Sequence, residues 1–222
     1  MSRAVAPGDR RERDAYFTPS ALAHALVGVL PLEAGDTALE PSAGGGAFVD
    51  ALEAHGAVVE AVDIEPAPRE PRLFGPPPAS IVRGDFLAGW TPDSPPRWVI
   101  GNPPYREAEA FVRRSLDVTG RHVVFLLRLA FLEGALRAAL WRETPLRKVW
   151  VLTERPSFTG GGTDSAAYGW FWWDREYSGE PSMGWLSWKT GPDLRIVELP
   201  EVAAPTGAEM TGEQLGLLGG VE

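Results

Sequence analysis

The tetrapeptide Asn102-Pro103-Pro104-Tyr105 follows an apolar run and combines groups that could act on an amine. Proline fixes φ and has no N–H, so the prolines hold the carbonyl groups around them rigid. The side-chain oxygen of Asn102 and the backbone oxygen of Pro103 could accept both hydrogens of an amine whose lone pair is delocalised into a ring. The nitrogen would then attack an electrophilic methyl group in line, without a base of unusual pKa. Tyr105 could stack on the ring after it has left a duplex.

A glycine-rich segment, Glu40-Pro41-Ser42-Ala43-Gly44-Gly45-Gly46, lies where a predicted strand turns into a predicted helix. Glycine lets the backbone turn tightly and approach a ligand, and a helix N-terminus presents free N–H groups. The spacing is not G-x-G-x-x-G, and an acidic residue lies beside the turn. A ligand with an amino group is therefore favoured over a pyrophosphate dinucleotide. A plain glycine-rich turn is the alternative.

Two acidic residues follow the next two predicted strands. Asp63 could accept hydrogen bonds from both hydroxyls of a ribose. Asp85 could accept a hydrogen bond from the amino group of an adenine ring, and Phe86 could lie against the face of that ring. A nucleoside-containing cofactor fits both positions, although either acid alone is more typical of a loop that ends a strand.

The elements that must position these residues alternate along the chain. Apolar runs predict strands at Thr37–Glu40, Val58–Val62, Ser80–Val82, Trp98–Ile100, His122–Leu127, Lys148–Leu152 and Ala167–Trp173, with one more near Trp185–Trp188. Helices fit Pro19–Leu30, Gly46–His55, Arg106–Val118 and Phe131–Arg142, and Thr18 or Ser20 could cap the first of them.

The order of these elements predicts an α/β fold with a mainly parallel sheet that is covered by helices on both faces. We expect one domain over residues 15–190, a flexible arm over 1–14 and an acidic, disordered tail over 191–222. The aromatic run Trp170-Phe171-Trp172-Trp173 is expected to pack in the core.

Composition narrows the possible functions. The chain has 222 residues and no cysteine, which excludes disulfides, thiolate zinc sites and a cysteine nucleophile. No long apolar run or signal sequence is present, so we expect a cytoplasmic protein without membrane contact. The net charge of −9 argues against nucleic-acid binding. The segment from Arg106 to Arg155, however, contains ten basic residues and only six acidic ones, so a local basic surface is predicted.

Taken together, these motifs resemble those of small, phage-type class I S-adenosylmethionine-dependent DNA N6-adenine methyltransferases, over about Tyr16 to Asp174. The resemblance implies a Rossmann-like fold with a seven-stranded sheet. It also implies S-adenosylmethionine as methyl donor and S-adenosylhomocysteine as product. The early segment Tyr16-Phe17-Thr18-Pro19 is similar to the element that closes over the cofactor in this family, and its position gives the gamma-type motif order.

Site residues follow from the resemblance. The catalytic residues would be Asn102, Pro103, Pro104 and Tyr105. No metal is implied. The cofactor would be bound by Tyr16, Phe17, Thr18, Pro19, Glu40, Pro41, Ser42, Ala43, Gly44, Gly46, Asp63, Ile64, Asp85, Phe86 and Asn102. The substrate would be bound by Tyr105 and Arg155, with Phe158 or Tyr168 as the second face of a base sandwich.

Other functions stay open at this point. The same tetrapeptide occurs in RNA adenine methyltransferases and in protein-glutamine N5 methyltransferases, and a cofactor-binding subunit that needs a partner is a third hypothesis. Asparagine at position 102 favours adenine over cytosine N4 by family analogy. Fewer than fifty residues follow Asp174, so we expect low sequence specificity. The partner is DNA, with RNA as the alternative, and monomer and homodimer are both compatible with the sequence.

Overall fold

The structure, a computed structural model, describes residues 18–69, 77–158, 164–189 and the backbone of 197–198. The predicted strands form within a few residues of the predicted bounds, and all of them except Ile81–Arg83 contain apolar residues that become buried. The strands are β1 (Thr37–Glu40), β2 (Val58–Asp63), β3 (Ile81–Arg83), β4 (Trp98–Gly101), β5 (His122–Arg128), β6 (Leu146–Leu152), β7 (Tyr168–Asp174), β8 (Ser182–Leu186) and β9 (Val197–Glu198).

The helices are shorter than predicted. They are α1 (Ser20–Val27), α2 (Ala47–Ala54), α3 (Ala108–Val118) and α4 (Ala138–Glu143), with short 3-10 turns at Leu129–Leu132 and Ala135–Arg137. The predicted helix Phe131–Arg142 is wrong in its first half. Gly134 has φ of +103° there, a conformation that interrupts a right-handed helix. The predicted cap of α1 is also wrong, because Pro19 occupies the N-cap position and no described side chain caps the helix.

The nine strands of the described residues belong to one sheet, in the order β3-β2-β1-β4-β5-β7-β6-β8-β9. The prediction of a mainly parallel seven-stranded sheet holds in part, because five of the eight strand pairs are parallel but the sheet has more strands and mixed orientation. Strands β1 to β5 pair in parallel, but β7 is antiparallel to both β5 and β6, and β9 is antiparallel to β8. No described helix connects β6 to β7, and a parallel pair would need such a crossover. Chain order reverses between β1 and β4, which creates a crevice at the carboxyl ends of these strands.

Helices cover both faces of the sheet. Helices α1 and α2 pack on one face, and α3 and α4 pack on the other. The aromatic residues of β7 alternate between the two cores, as the period of a strand requires. Trp170 stacks on Phe48 of α2 with 5.5 Å between the rings, whereas Phe171 and Trp173 belong to the opposite core. The prediction that this aromatic run is core packing is therefore confirmed.

A buried polar network surrounds Asp174 at the end of the sheet where the parallel strands β4 and β5 begin. This end is called the starting edge below, and the opposite end, where β1 and β4 finish, is called the carboxyl edge. The carboxylate is paired with Arg147 at 2.7 Å and with Arg121 at 3.3 Å. His122 lies 3.7 Å from the same carboxylate, and its Nδ1 accepts the indole N–H of Trp172 at 3.2 Å. Burial lowers the pKa of His122 to about 4.

The hydrogen bonds of this network lower the pKa of Asp174. Burial alone would raise the pKa of Asp174, but hydrogen bonds from the Glu176 backbone and the Arg147 guanidinium outweigh burial and lower it. The network also explains part of the basic sequence between Arg106 and Arg155. Arg121 and Arg147 pair with Asp174, and Arg113 pairs with two glutamates. The local excess of arginine is thus partly neutralised within the fold.

Candidate functional site

The glycine-rich turn connects β1 to α2 at the crevice. Gly44 and Gly46 have φ of +51° and +81°, which L side chains rarely adopt. The turn is held by two backbone hydrogen bonds, from Ala43 N–H to the Val62 carbonyl and from Gly46 N–H to the Ala43 carbonyl. A Cβ on Gly46 would lie 2.9 Å from the guanidinium of Arg69. The backbone angle therefore favours glycine at position 46, and a Cβ there would also move the end of the Arg69 side chain.

Glu40 lies directly before this turn and is 2% exposed. Its Oε2 accepts the backbone N–H of Val49 in the first turn of α2 at 3.0 Å. Burial raises the pKa of Glu40 well above its ordinary value, and that one hydrogen bond offsets the shift only in part. A ligand ammonium beside the carboxylate would favour its charged form.

Asp63 ties the end of β2 to the turn. Its Oδ2 accepts the N–H of Gly44 and its Oδ1 accepts the N–H of Glu65, both at 2.7 Å. Each carboxylate oxygen retains a further lone pair, so Asp63 can support the turn and still accept a hydrogen bond from a ligand. Ile64, the next residue, is 42% exposed and offers an apolar surface beside the carboxylate.

The residues after β3 match their expected roles less well. Asp85 is exposed, and its Oδ1 accepts the N–H groups of Leu87 and Ala88. Phe86 is 2% exposed and its ring packs on Phe111, with 5.6 Å between the ring centres. The expected stacking of Phe86 on an adenine ring is not supported by this placement, because Phe86 lies in the turn after β3 and its ring packs into the core on Phe111.

Asn102 follows the end of β4, beside Glu40. Its Nδ2 donates to the hydroxyl of Thr18 at 3.1 Å, while its Oδ1 is buried and has no hydrogen-bond partner among the described residues. Pro103 is buried, and the carbonyl of Pro104 accepts the N–H of Glu107 to begin α3. The rigid tetrapeptide therefore presents a desolvated amide oxygen at the crevice.

Tyr105 belongs to an aromatic cluster beyond Asn102. Its ring centre lies 5.7 Å from that of Tyr168, and Phe158 contacts Tyr168 edge-on at 5.2 Å. The guanidinium of Arg128 lies 4.7 Å from the centre of the Tyr105 ring. Burial, reinforced by Tyr168, raises the pKa of Tyr105 well above its ordinary value. Tyr105, Tyr168 and Phe158, which the sequence proposed as base-binding residues, thus lie together.

Tyr168 is held in this cluster by a carboxylate. Its hydroxyl donates to Oδ2 of Asp164 at 2.7 Å, and burial together with this bond raises the pKa of Tyr168 to about 12. Sequence reasoning missed Asp164 and Arg128. The available signal was a lone cation at the end of the buried strand β5, where burying an arginine requires a partner.

A cavity of about 250 Å³ lies between Thr18, the glycine turn and Asn102. A larger cavity of about 810 Å³ shares Ser20, Gly45 and Asp50 with it. Arg69, which sequence reasoning also missed, lines the larger cavity and is bonded to Asp50 at 2.5 Å. The first cavity, at about 250 Å³, is large enough for part of a small organic ligand.

The remaining predicted residues are placed as follows. Thr18 and Pro19 directly precede α1, with Pro19 at its N-cap, and Pro41, Ser42 and Ala43 are within the glycine-rich turn. Arg155 is exposed on the segment after β6. Tyr16 and Phe17 lie outside the described residues.

In the described part of the chain, the acidic and histidine side chains form no group of three that could hold a metal ion. None of its helices has the length and apolarity needed to cross a membrane.

Solved structures with a similar arrangement include proteins named as methyltransferases. The methyltransferase subunit of a type I restriction-modification system from Streptococcus thermophilus matches with a TM-score of 0.56 at 13% identity, over 78% of this chain and 47% of that chain. A Listeria monocytogenes protein described as a class I S-adenosylmethionine-dependent methyltransferase gives 0.55 at 14%, over 76% and 65%. A 23S rRNA methyltransferase gives 0.51 at 16%, over 72% and 69%.

At these identities the similarity shows a shared fold. The fold is an α/β fold whose structural neighbours include S-adenosylmethionine-dependent methyltransferases. The chain spans about half the length of the type I subunits that it matches, between 44% and 48%. No family model matches the sequence, and none of the curated proteins compared with it matches.

Proposed function

We propose that this protein is an S-adenosylmethionine-dependent methyltransferase that modifies the N6 amino group of adenine in DNA. One observation carries the proposal. The Oδ1 atom of Asn102 is buried and unpaired among the described residues, at a crevice that also contains a glycine turn and a buried carboxylate. An unpaired buried acceptor costs about 1–3 kcal/mol. A ligand N–H group would recover this free energy.

The crevice fits the proposed methyl donor. Glu40 lines the smaller cavity with a carboxylate that gains from a neighbouring ammonium, such as that of a methionine moiety. Asp63 and Ile64 offer lone pairs and an apolar surface for a nucleoside. When bound, S-adenosylmethionine supplies a methyl group on a positively charged sulfur.

The residues of the tetrapeptide then act on the amine. Asn102 Oδ1 accepts one N–H of the amino group, and the Pro103 carbonyl is the proposed acceptor for the second. These two acceptors direct the nitrogen lone pair out of the ring plane. Methyl transfer would form the new N–C bond as the S–C bond of the bound cofactor breaks, and one amine proton would leave to solvent. Tyr105, held between Arg128 and Tyr168, supplies an aromatic face for the base.

A second candidate function follows from the comparisons. Because this chain spans about half of the type I methyltransferase subunits that it matches, a partner could supply DNA recognition. In that case the isolated chain would bind the cofactor but transfer methyl groups only in a complex. RNA is a third possibility, because the matched structures include an rRNA methyltransferase.

Incubation with tritiated S-adenosylmethionine and with DNA, RNA or glutamine-containing peptides separates these possibilities. After digestion to nucleosides, we expect the label on N6 of deoxyadenosine. Label on adenosine from RNA, or on peptide amide nitrogen, would replace DNA as the substrate. Cofactor binding without transfer to any substrate would favour the subunit hypothesis.

We also propose low sequence specificity. Each good bidentate contact to a base supplies about 1–3 kcal/mol of discrimination, and a protein that binds mainly through phosphates would modify different adenines at similar rates. Modification-sensitive sequencing of a methylated plasmid should find many adenine contexts. A single strict motif of four or more bases would show that readout elements exist elsewhere. Oligomeric state can be determined on the same sample by light scattering.

A further inference from the structure

We propose that Thr18 is a positioning residue for Asn102, fixing which end of the Asn102 amide faces the substrate. This inference rests on the proposed function and goes beyond the cofactor-binding role that the sequence motif implies for Thr18. It follows from one long-range contact. The hydroxyl of Thr18 accepts a hydrogen bond from Asn102 Nδ2 at 3.1 Å, although 84 residues separate the two positions.

Thr18 is well placed for this role because its hydroxyl does not cap α1. The N-cap position belongs to Pro19, and the helix has no side-chain cap within the described chain. The helix itself is fixed by Leu22 and Leu26, which are both fully buried in the core. Thr18 is therefore attached to a rigid element, and its hydroxyl points to the end of β4 instead of to the first turn of α1.

An asparagine amide needs such a partner because its two ends have similar size and opposite chemistry. Oδ1 accepts hydrogen bonds, whereas Nδ2 only donates them. A rotation of 180° would present an NH₂ group to the substrate amine, and two sets of donors would then face each other. An acceptor on the far side of the amide selects the productive orientation, which leaves Oδ1 unpaired and available.

The sequence makes this contact unusually easy to observe. Asn102 is the sole asparagine of the chain, so ¹⁵N-asparagine labelling gives one side-chain NH₂ pair in an NMR spectrum. We expect the proton that faces Thr18 to exchange slowly with solvent. Thr18→Val, which keeps the shape but removes the acceptor, should shift this pair and speed its exchange, and Thr18→Ser should preserve it.

The matched control is Thr37→Val. Thr37 is an exposed threonine at the start of β1, and its hydroxyl accepts a hydrogen bond from the backbone of Arg97. If Thr18→Val moves the Asn102 side-chain signals no more than Thr37→Val does, the contact is absent and the proposal is overturned. This readout needs no turnover, so it decides the contact even where no methyl transfer is detected.

Kinetics then test the role of the contact. With saturating S-adenosylmethionine, Thr18→Val should lower kcat by about fivefold to tenfold, the equivalent of one hydrogen bond. The KM for the cofactor should change less than threefold, and Thr18→Ser should restore kcat. A raised cofactor KM with unchanged kcat would show that Thr18 only binds the cofactor. An inactive wild-type protein with an intact Thr18–Asn102 signal would instead count against the proposed function.

Discussion

The starting edge and the carboxyl edge of the sheet differ in whether their buried polar groups have hydrogen-bond partners. At the starting edge, the Asp174 carboxylate receives two arginines, and His122 accepts the indole N–H of Trp172. At the carboxyl edge, Asn102 Oδ1, Tyr105 Oη, Arg128 Nε and Ser42 Oγ are buried without a hydrogen-bond partner in the described chain. The other unpaired buried atoms are mainly indole N–H groups within the aromatic core.

This difference separates stability from function. Buried polar groups in native proteins are nearly always paired, because leaving one unmade costs about 1–3 kcal/mol. The network around Asp174 at the starting edge follows that rule and stabilises the fold. The carboxyl edge departs from it where β1 and β4 diverge, the position at which α/β sheets bind ligands. Variants at the two edges should therefore change different measurements, stability at one and ligand binding or turnover at the other.

The largest stability effect is expected for Asp174→Ala at the starting edge. The substitution removes the buried carboxylate that pairs with Arg121 and Arg147, and the loss of two hydrogen bonds to a charged group costs about 3 kcal/mol. Urea unfolding should show a lower midpoint with an unchanged slope. Among folded molecules, affinity for S-adenosylhomocysteine should stay at the wild-type value. A loss of affinity without a loss of stability would reverse the assignment of the two edges.

The second-largest expected effect is a loss of folding stability in acid, which acts through His122 at the starting edge. The pKa of His122 is about 4 in the folded protein and about 6.5 when unfolded, so the unfolded chain binds the proton first. The stability that neutral His122 provides is present above pH 6.5 and is lost as pH falls toward 4. Between pH 7.5 and 5 this amounts to about 2 kcal/mol.

His122→Gln should remove this dependence, and His55→Gln serves as the matched surface control. Unfolding free energies at the two pH values give the result directly. An equal acid loss in His122→Gln and wild type would mean that another group carries the pH effect.

At the carboxyl edge, Asp63→Ala should weaken S-adenosylhomocysteine binding by about tenfold, or ~1.4 kcal/mol. The variant removes acceptors for ribose hydroxyls and also the partner of the Gly44 N–H. Calorimetric titration of the folded variant measures the affinity. Wild-type affinity would remove Asp63 from the cofactor site and leave it only the role of holding the turn.

Two glycine variants should lose the same stability but differ in cofactor affinity. Gly46→Ala and Gly35→Ala both place a Cβ at positive φ, which costs each variant about 1 kcal/mol. A Cβ at position 35 meets nothing within 4 Å, whereas at position 46 it would displace Arg69. Cofactor affinity should therefore fall in Gly46→Ala alone. Equal affinities would show that the turn tolerates the displacement.

Much of the fold was predictable because apolar periodicity reports burial. Runs such as Val58–Val62 and His122–Leu127 become strands for that reason. Strand direction is not contained in such a pattern, so antiparallel β7 and the additional edge strand β9 were missed. Local rules also failed where tertiary contacts prevailed, as at Thr18, whose hydroxyl contacts Asn102 instead of capping α1.

The candidate site was predictable where one segment contains its chemistry. The glycine turn and the tetrapeptide are contiguous in sequence, and the structure brings them together at the crevice. Arg128 was missed because its contact with Tyr105 depends on the pairing of β4 with β5. Asp164 is only four residues from Tyr168, but it lies outside the helices and strands that the sequence pattern reports. Phe86 was misplaced for a related reason, since the core at Phe111 decides where its ring points.

The most direct test of the account is to measure stability and methyl transfer together on Asn102→Ala. The variant loses one hydrogen bond to Thr18 but also removes an unpaired buried acceptor, so its unfolding free energy should stay within about 1 kcal/mol of wild type. Methyl transfer to adenine should fall by about 10²–10³-fold with cofactor binding retained. Near-normal transfer, or a loss of activity explained entirely by unfolding, would contradict the claim that the unpaired amide oxygen marks the reacting site.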